Sequence, residues 1–233
     1  SAVGMINALG DNCDEIAANL TRGIAPGMRP RPGWLEGQPA AVLGGVDAVL
    51  PAIADDFAAH RSRNNQLLLA ALTQIRPQVD EAIARFGSDR VAVVLGTSTS
   101  GLDEGDIHVA ATLNGGTSAG WQYPQQELGD PSRFLSHWLA LDGPAFTLST
   151  ACSSSARAII SGRRLIEADL ADVAIVGGAD TLSRMPVNGF HSLESLSVTR
   201  CQPFARDRCG ITIGEGAALM LLTREPQPIA LLG

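Results

Sequence analysis

Apolar residues recur at spacings of three and four between Asn64 and Phe86, as on one face of an amphipathic helix. The recurring positions are Leu68, Leu72, Ile75, Val79 and Ile83. Pro77 stands inside this pattern, and proline removes a helix hydrogen bond and clashes with the preceding turn. The pattern therefore predicts a helix that is kinked at Pro77 or divided there into two helices.

Short, β-branched apolar runs replace the helical pattern further along the chain. Val91 to Leu95 is apolar throughout and ends in Gly96, which is typical of a central strand buried on both faces. Two more strands are predicted over Ala145 to Thr150 and Val173 to Val176, with a helix from about Cys152 to Ala168 between them. A strand, a helix and a strand in this order predict a βαβ unit, with a parallel sheet and a right-handed crossover.

Weaker signals cover the rest of the chain. A short helix is predicted over Asp14 to Leu20, followed by a loop rich in Pro and Gly from Gly23 to Pro39. The polar, Gly-rich stretch from Thr97 to Pro131 is too long for an ordinary connection, so it is predicted to be functional. A further helix is predicted near Pro131 to Leu141, and Gly214 to Thr223 ends in another apolar run.

Both ends of the sequence look interrupted. SAVGM resembles the tail of a strand, and PIALLG, from Pro228 to Gly233, opens a strand-like run and stops. We therefore expect the sequence to be a piece of a longer protein.

Composition narrows the class of protein. Of the 233 residues 45% are hydrophobic and 18% are charged, which suits an α/β protein with a buried sheet. The net charge of −7 and the lack of a basic stretch argue against nucleic-acid binding. No run approaches the length of a membrane span, and the N-terminus lacks the pattern of a signal peptide, so a cytoplasmic location is expected. The four cysteines have no zinc-like spacing and are expected to be reduced thiols: Cys13, Cys152, Cys201 and Cys209.

The segment FTLSTACSSSARAII carries the strongest chemical signal. It places Cys152 where a predicted strand turns into a predicted helix, beside unpaired N–H groups and the positive end of the helix dipole. That environment favours the nucleophilic thiolate, and the small residues Ser153 to Ser155 leave room for a substrate. The local pattern alone leaves a second interpretation open, in which Cys152 is a small buried core residue.

GPAFTLSTACSSSARAI resembles the active-site segment of β-ketoacyl synthases, both the elongating type I/II enzymes and the ketosynthase domains of polyketide synthases. Further segments resemble the same family in the same order along the chain. They are VGMINALGD, VAVVLGTSTSGLDEG, LIEADLADVAIVGGAD, NGFHSLESLS and QPFARDRCGITIGEGAALMLL. The similarity thus extends over nearly the whole sequence.

The resemblance implies an α/β thiolase-like fold, of which this chain is the N-terminal half, a mixed five-stranded sheet with helices on both faces. Residues 1–226 would form that half, with insertions at 23–63 and 97–131, and residues 227–233 would begin the missing C-terminal half. Cys152 would accept the acyl chain, and its backbone N–H would be one oxyanion donor. Decarboxylation of malonyl-acyl-carrier protein and a Claisen condensation would follow, without a cofactor.

The resemblance also implies partners. Arg61 and Arg63 match positions where the family carries basic residues that bind the acidic acyl carrier protein. Family members pair the strand corresponding to Ala145–Thr150 across a two-fold axis, so a homodimer or a ketosynthase heterodimer is expected. The alternative to a catalytic subunit is a non-catalytic partner of the chain-length-factor type, which lacks the nucleophile.

The histidines match none of the family's catalytic positions. The family's two catalytic histidines lie in its second half, in a His-Gly-Thr and a Gly-His motif, and none of the four here has that context: His60, His108, His137 and His191. His108 near Asp103, Glu104 and Asp106 suggests a metal site, although a solvated acidic loop is the preferred interpretation. His191 is expected to be a packed or capping residue.

Several remaining positions have structural explanations. Glu215 is expected to be a buried, hydrogen-bonded carboxylate, and Gly177-Gly178 and Gly115-Gly116 are expected to form tight turns. Cys209 stands where the family usually has Asp, and Ile211 where Phe is common. These differences, with a short loop between Ser197 and Pro203, suggest a specialised branch such as a polyene or polyketide pathway.

Overall fold

The computed structural model describes residues 2–37, 40–118, 120–226 and 229–231. Its helices and strands are β1 (Val3–Asn7), α1 (Cys13–Arg22), β2 (Met28–Arg31), β3 (Ala41–Gly44), α2 (Arg63–Phe86), β4 (Val91–Gly96), α3 (Leu102–Leu113), α4 (Asp130–Trp138), β5 (Ala145–Leu148), α5 (Ser154–Glu167), β6 (Val173–Asp180), α6 (Arg184–Ser192) and β7 (Gly216–Thr223). Short 3₁₀ turns occupy Asp55–His60, Ser88–Arg90 and Tyr123–Gln126. In these described ranges, no helix combines the length and apolarity needed to cross a membrane.

A mixed sheet organises the described residues, with five strands in the order β1-β7-β6-β4-β5. β4 pairs in parallel with β5 and with β6, whereas β7 runs antiparallel to β6 and to β1. The predicted βαβ unit is confirmed, because β5, α5 and β6 follow one another and the two strands flank β4. β2 and β3 form a separate antiparallel pair.

Alternate residues of β4 face two different hydrophobic clusters. Val93 and Leu95 pack on the side covered by α2 and α4, where Phe134 is fully buried. Val94 packs on the opposite side with Ala158 of α5. Every residue of β4 is buried, so the predicted central strand with two covered faces is confirmed.

The predicted division of the long helix at Pro77 is wrong, because α2 runs as one helix from Arg63 to Phe86. Pro77 is exposed, and the residues before and after it, such as Ile75 and Val79, are buried in the same cluster against the sheet. Packing of this apolar face offsets the roughly 3 kcal/mol that an interior proline costs.

The stretch predicted as a long functional connection, 97–131, contains regular structure. Helix α3 and the turn at Tyr123–Gln126 occupy much of it, so its length does not indicate an extended loop. Contacts with distant parts of the chain fix this helix, since Glu104 Oε1 accepts a hydrogen bond from Arg63 N at 2.6 Å and Asp106 Oδ2 one from Ser183 Oγ at 3.1 Å.

Elsewhere the predicted elements are confirmed with shifted ends. Helix α1 begins after Asn12, whose side chain accepts a hydrogen bond from Glu15 N, and ends at Gly23 in the left-handed conformation. The loop predicted from residue 23 contains β2, and residues 38–39 lie outside the described residues. Strand β1 occupies the predicted N-terminal strand tail. Residues 229–231 form no strand, and the remainder of the predicted C-terminal run lies outside the described residues.

Candidate active site

Cys152 lies in the short turn that joins β5 to α5, at the carboxyl end of the parallel strands. Among the described residues its side chain is exposed, unlike that of a buried core cysteine. Ligands of open α/β sheets bind outside the carboxyl ends of the strands, so the thiol occupies a position where a substrate can reach it.

The turn before Cys152 has an unusual backbone conformation. Ala151 has a φ of 53°, in the left-handed region that costs a non-glycine residue about 1–2 kcal/mol. Local hydrogen bonds stabilise it: the carbonyl of Ala151 accepts from Ser154 Oγ at 2.7 Å and from Ser154 N at 3.1 Å. The same hydroxyl accepts from Thr150 N at 2.9 Å. Such backbone strain is common at functional sites.

The backbone N–H of Cys152 donates to no acceptor among the described residues. It lies two residues before α5, and the next two N–H groups, those of Ser153 and Ser154, donate to the carbonyls of Thr150 and Ala151. An exposed thiol can attack a carbonyl carbon, and an unpaired N–H on the same residue can donate a hydrogen bond to an oxyanion.

Two glycines allow the first turn of α5 to pack closely against the ends of β4 and β6. A Cβ on Gly96 of β4 would lie 2.4 Å from the backbone of Ser154 and Ser155, and one on Gly178 of β6 would lie 2.4 Å from Ser155 Oγ. The predicted tight turn at Gly177-Gly178 is wrong because both residues lie within β6. The close approach of backbones is nevertheless present, since a Cβ on Gly177 would lie 2.0 Å from the carbonyl oxygen of Ala218.

The glycine pair at 115–116 differs from the pair in β6. Gly115 has a φ of 76° in the turn that follows α3, as predicted for a tight turn. No atom lies within 4 Å of its added Cβ, so this glycine is required for conformation and not for close approach.

Asp180, at the end of β6, organises the loop that follows β4. Its Oδ1 accepts hydrogen bonds from Ser98 N at 2.6 Å and from Thr99 N at 3.0 Å, together with the hydroxyls of Thr97 and Thr99 at 3.0 Å. A cleft of roughly 290 Å³ opens beside it, lined in part by Ser155, Gly178 and Gly216. No role was predicted for Asp180, although a carboxylate that closely follows a buried apolar run and two glycines is a usable signal.

Glu215 is a buried structural carboxylate, as predicted. Arg63 contacts both of its oxygens, with Nε to Oε2 at 2.8 Å and Nη2 to Oε1 at 2.7 Å, and Glu215 also accepts from Val46 N at 2.8 Å. The hydrogen bond to Glu215 raises the pKa of the Arg63 guanidinium. Arg63 is thus engaged inside the fold, whereas Arg61 makes a surface ion pair with Asp55.

Replacing Arg63 with alanine is expected to lower the free energy of unfolding by about 3 kcal/mol, because Glu215 would become a buried carboxylate without its ion-pair partner. Arg61→Ala is the matched control, with an expected change of about 1 kcal/mol or less, because it loses an exposed ion pair and one hydrogen bond to the carbonyl of Ile53. Urea denaturation measures both. Equal stabilities of the two variants would contradict the structural role of Arg63.

His60 and His137 lie side by side, His108 and His191 lie elsewhere, and among the described residues no histidine side chain shares a hydrogen bond with Cys152. His60 Nδ1 lies 2.6 Å from Asp130 Oδ1, with the ring of His137 at 5.9 Å. His108 contacts Ser118 Oγ at 2.7 Å and stacks on Trp121. His191, predicted to be a packed or capping residue, is exposed and therefore not packed; it lies in the last turn of α6, where its carbonyl accepts a hydrogen bond from Glu194 N at 2.9 Å.

The acidic residues near His108 lie on helix α3 and not in the solvated loop that was predicted. Burial raises the pKa of Asp103, with the charge of Asp106 adding to it, and burial also raises the pKa of Glu104. Within the part of the chain that the structure describes, no group of histidine, cysteine and carboxylate side chains is arranged to hold a metal ion.

Comparison with known proteins identifies the family. The family described as "Beta-ketoacyl synthase, N-terminal domain" matches residues 37–227, and the chain belongs to it. The solved complex of the ketosynthase ApeO with its chain length factor ApeC, from Xenorhabdus doucetiae, contains a chain that is 69% identical with a TM-score of 0.96, over 100% of this chain and 59% of that one.

Curated relatives are more distant. Nodulation protein E of Rhizobium sp. (strain N33) is 31% identical over 65% of this chain and 38% of its own length. 3-Oxoacyl-[acyl-carrier-protein] synthase 2 of Mycobacterium bovis is 38% identical over 33% of this chain and 20% of its own. The chain thus spans less than two thirds of each of these proteins. The thiolase-like fold implied by the sequence is confirmed by the ketosynthase structures.

Proposed function

We propose that this chain is the N-terminal half of a β-ketoacyl-acyl-carrier-protein synthase, with Cys152 as its acyl-accepting nucleophile. The observation that carries the proposal is the exposed thiol of Cys152 in the β5–α5 turn, beside its own unpaired N–H. The expected domain division follows from this assignment, with residues 1–226 as one half and 227–233 as the start of the second.

The proposed reaction has two stages at one sulfur atom. The Cys152 thiolate attacks the carbonyl carbon of an acyl thioester, the new S–C bond forms, and the carrier thiolate leaves and takes up a proton. Decarboxylation of a malonyl thioester then yields an enolate, whose carbon attacks the acyl-cysteine carbonyl. The β-ketoacyl product forms on the carrier, and the Cys152 thiolate is released.

The Cys152 N–H is suited to the first stage, because a donor aimed at a developing oxyanion lowers the barrier to acyl transfer. The second stage develops charge on the enolate oxygen, which needs donors of its own. Since none of the four histidines has the sequence context of the family's catalytic histidines, we assign that task to residues of the second half.

A second candidate function is that of a chain-length-factor-type partner subunit. The observation that favours it is the similarity to a complex that contains both a ketosynthase and its chain length factor. An exposed cysteine at the β5–α5 turn supports the catalytic role instead, because a subunit of that type needs no nucleophile. In either role the proposed assembly is a dimer through the edge strand β5, and the proposed location is the cytoplasm.

The acyl carrier protein is the proposed donor of both substrates. Arg61 remains the better placed of the two predicted docking residues, since its side chain lies at the surface and Arg63 is bound to Glu215. A docking surface would need local positive charge in a chain whose net charge is −7. Arg61→Glu should therefore weaken carrier binding, and Arg76→Glu, at another exposed ion pair, serves as the control.

The proposed function predicts that residues 1–233 alone cannot complete a condensation. Incubated with malonyl-acyl-carrier protein, this segment should release carbon dioxide only at the background rate, and the longer protein with its second half should release it well above background. The measurement is radiolabelled carbon dioxide from both proteins side by side. Equal rates would show that the groups for decarboxylation lie within this chain, contrary to the proposal.

A further inference from the structure

The peptide unit between Ala151 and Cys152 carries a fixed carbonyl on one side and the unpaired Cys152 N–H on the other. Three donors converge on the carbonyl oxygen: Ser154 Oγ at 2.7 Å, Ser154 N at 3.1 Å and Ser98 Oγ at 3.3 Å. A trans peptide is planar, with its C=O and N–H pointing in opposite directions. The donors that fix the carbonyl therefore fix the direction of the Cys152 N–H, away from themselves.

Two of these donors belong to α5 itself, but Ser98 reaches the peptide from the loop after β4. Ser98 is placed in turn by Asp180, whose Oδ1 accepts its backbone N–H at 2.6 Å. The same oxygen accepts from Thr97 and Thr99, so the loop is bound to the end of β6 by four hydrogen bonds. A continuous path of hydrogen bonds thus leads from β6 through the loop to the peptide before the nucleophile.

We propose that Ser98 and Asp180 are positioning residues for acyl transfer: Asp180 fixes the loop, and the Ser98 hydroxyl orients the 151–152 peptide so that the Cys152 N–H faces the substrate oxyanion. The inference rests on the proposed function and adds two residues to it. Neither residue contacts the reacting atoms, and both act through the orientation of one N–H group.

This role differs from a general contribution to folding. Ser98 is exposed, and the Ala151 carbonyl keeps its two donors from Ser154 when the Ser98 hydroxyl is removed. The turn should therefore stay folded while the N–H direction becomes less well fixed. The rate of acyl transfer depends on how well hydrogen-bond donors point at the developing oxyanion. A reaction that forms no oxyanion is insensitive to the direction of these donors.

Two reactions at the Cys152 sulfur separate these possibilities. Acylation by an acyl thioester forms an oxyanion, whereas alkylation by iodoacetamide displaces iodide and forms none. Both rates are measured on the full-length protein, by mass spectrometry of the Cys152 peptide. Ser98→Ala should slow acylation about tenfold and leave alkylation within about twofold of wild type. Asp180→Ala should slow acylation at least as much, and Ser98→Thr, which keeps the hydroxyl, should restore it.

Ser192→Ala is the matched control, because Ser192 is also exposed and its hydroxyl donates to the carbonyl of Gly189 at 2.8 Å, in helix α6. It should leave both rates unchanged. The proposal is overturned if Ser98→Ala acylates at the wild-type rate, or if it slows acylation and alkylation equally. Absence of acylation in the wild-type protein itself would instead refute the proposed function, and the inference with it. If Asp180→Ala fails to fold, Ser98→Ala and Ser98→Thr still test the proposal.

Discussion

Replacing Cys152 with alanine is expected to abolish acyl loading of the longer protein, with a fall in condensation rate of at least about 10³-fold. Removing a covalent nucleophile leaves only binding and oxyanion stabilisation, so the residual rate should be small. The measurement is transfer of a radiolabelled acyl group from acyl-carrier protein to the protein, with condensation product followed in parallel. Retained labelling in this variant would contradict the assignment of the nucleophile.

The other three cysteines provide the controls. Cys209 is exposed like Cys152, while Cys13 and Cys201 are half-buried, so Cys209→Ala is the matched variant and should load acyl groups normally. Limited iodoacetamide treatment at neutral pH should label Cys152 ahead of Cys209, because Cys152 lies two residues before α5, near the positive end of the helix dipole, whereas Cys209 lies in an irregular segment. Faster labelling of Cys209 would argue against a specially activated Cys152.

Replacing Gly96 with alanine is expected to reduce acylation of Cys152 by about 10²-fold without unfolding the protein. The added methyl group would lie 2.4 Å from backbone atoms of Ser154 and Ser155, so the start of α5 must move away from β4. A shift of about 1 Å at a reacting group costs about two orders of magnitude in rate, and overpacking of this kind costs about 1–3 kcal/mol in stability.

Gly189→Ala is the control for this substitution. Gly189 lies within helix α6, and no atom lies within 4 Å of its added Cβ. Alanine there should raise the free energy of unfolding by about 0.5–1 kcal/mol and leave acylation unchanged. Acylation rates and thermal denaturation distinguish the two variants. Wild-type acylation in Gly96→Ala would show that α5 tolerates displacement, contrary to the packing described above.

Sequence pattern predicted most of the sheet and the position of the nucleophile. Both features are encoded by consecutive residues. Strand β4 is predicted from the apolar run at Val91–Gly96, and the strand-to-helix turn is predicted from the resemblance of the segment around Cys152. Helix α3 was missed because its exposed residues include apolar ones, among them Ile107 and Leu113, and thus give no clear periodicity. What fixes α3 is contact with Arg63 and Ser183, which lie far away along the chain.

The same reason explains the missed parts of the site. Ser98 and Asp180 are separated by 82 residues, and their hydrogen bond follows from the pairing of β4 with β6. The docking assignment illustrates the reverse case. Arg61 and Arg63 were both predicted to bind the carrier protein, from their positions in the sequence. The fold brings Glu215, 152 residues away in sequence, into contact with Arg63, whereas Arg61 lies at the surface.

Among the strands that the structure describes, β5 lies at the edge of the sheet, and its last residue, Leu148, precedes Cys152 by only a few residues. Any chain that adds a strand there also sets the distance between its own loops and the thiol. Strands advance about 3.3 Å per residue and repeat their side-chain pattern every two, so the smallest slip that preserves the facing side chains displaces the added chain by about 7 Å. The register of two subunits along β5 would then determine how far the loops of one subunit lie from the thiol of the other. Two assemblies of equal affinity but different register would therefore differ in activity.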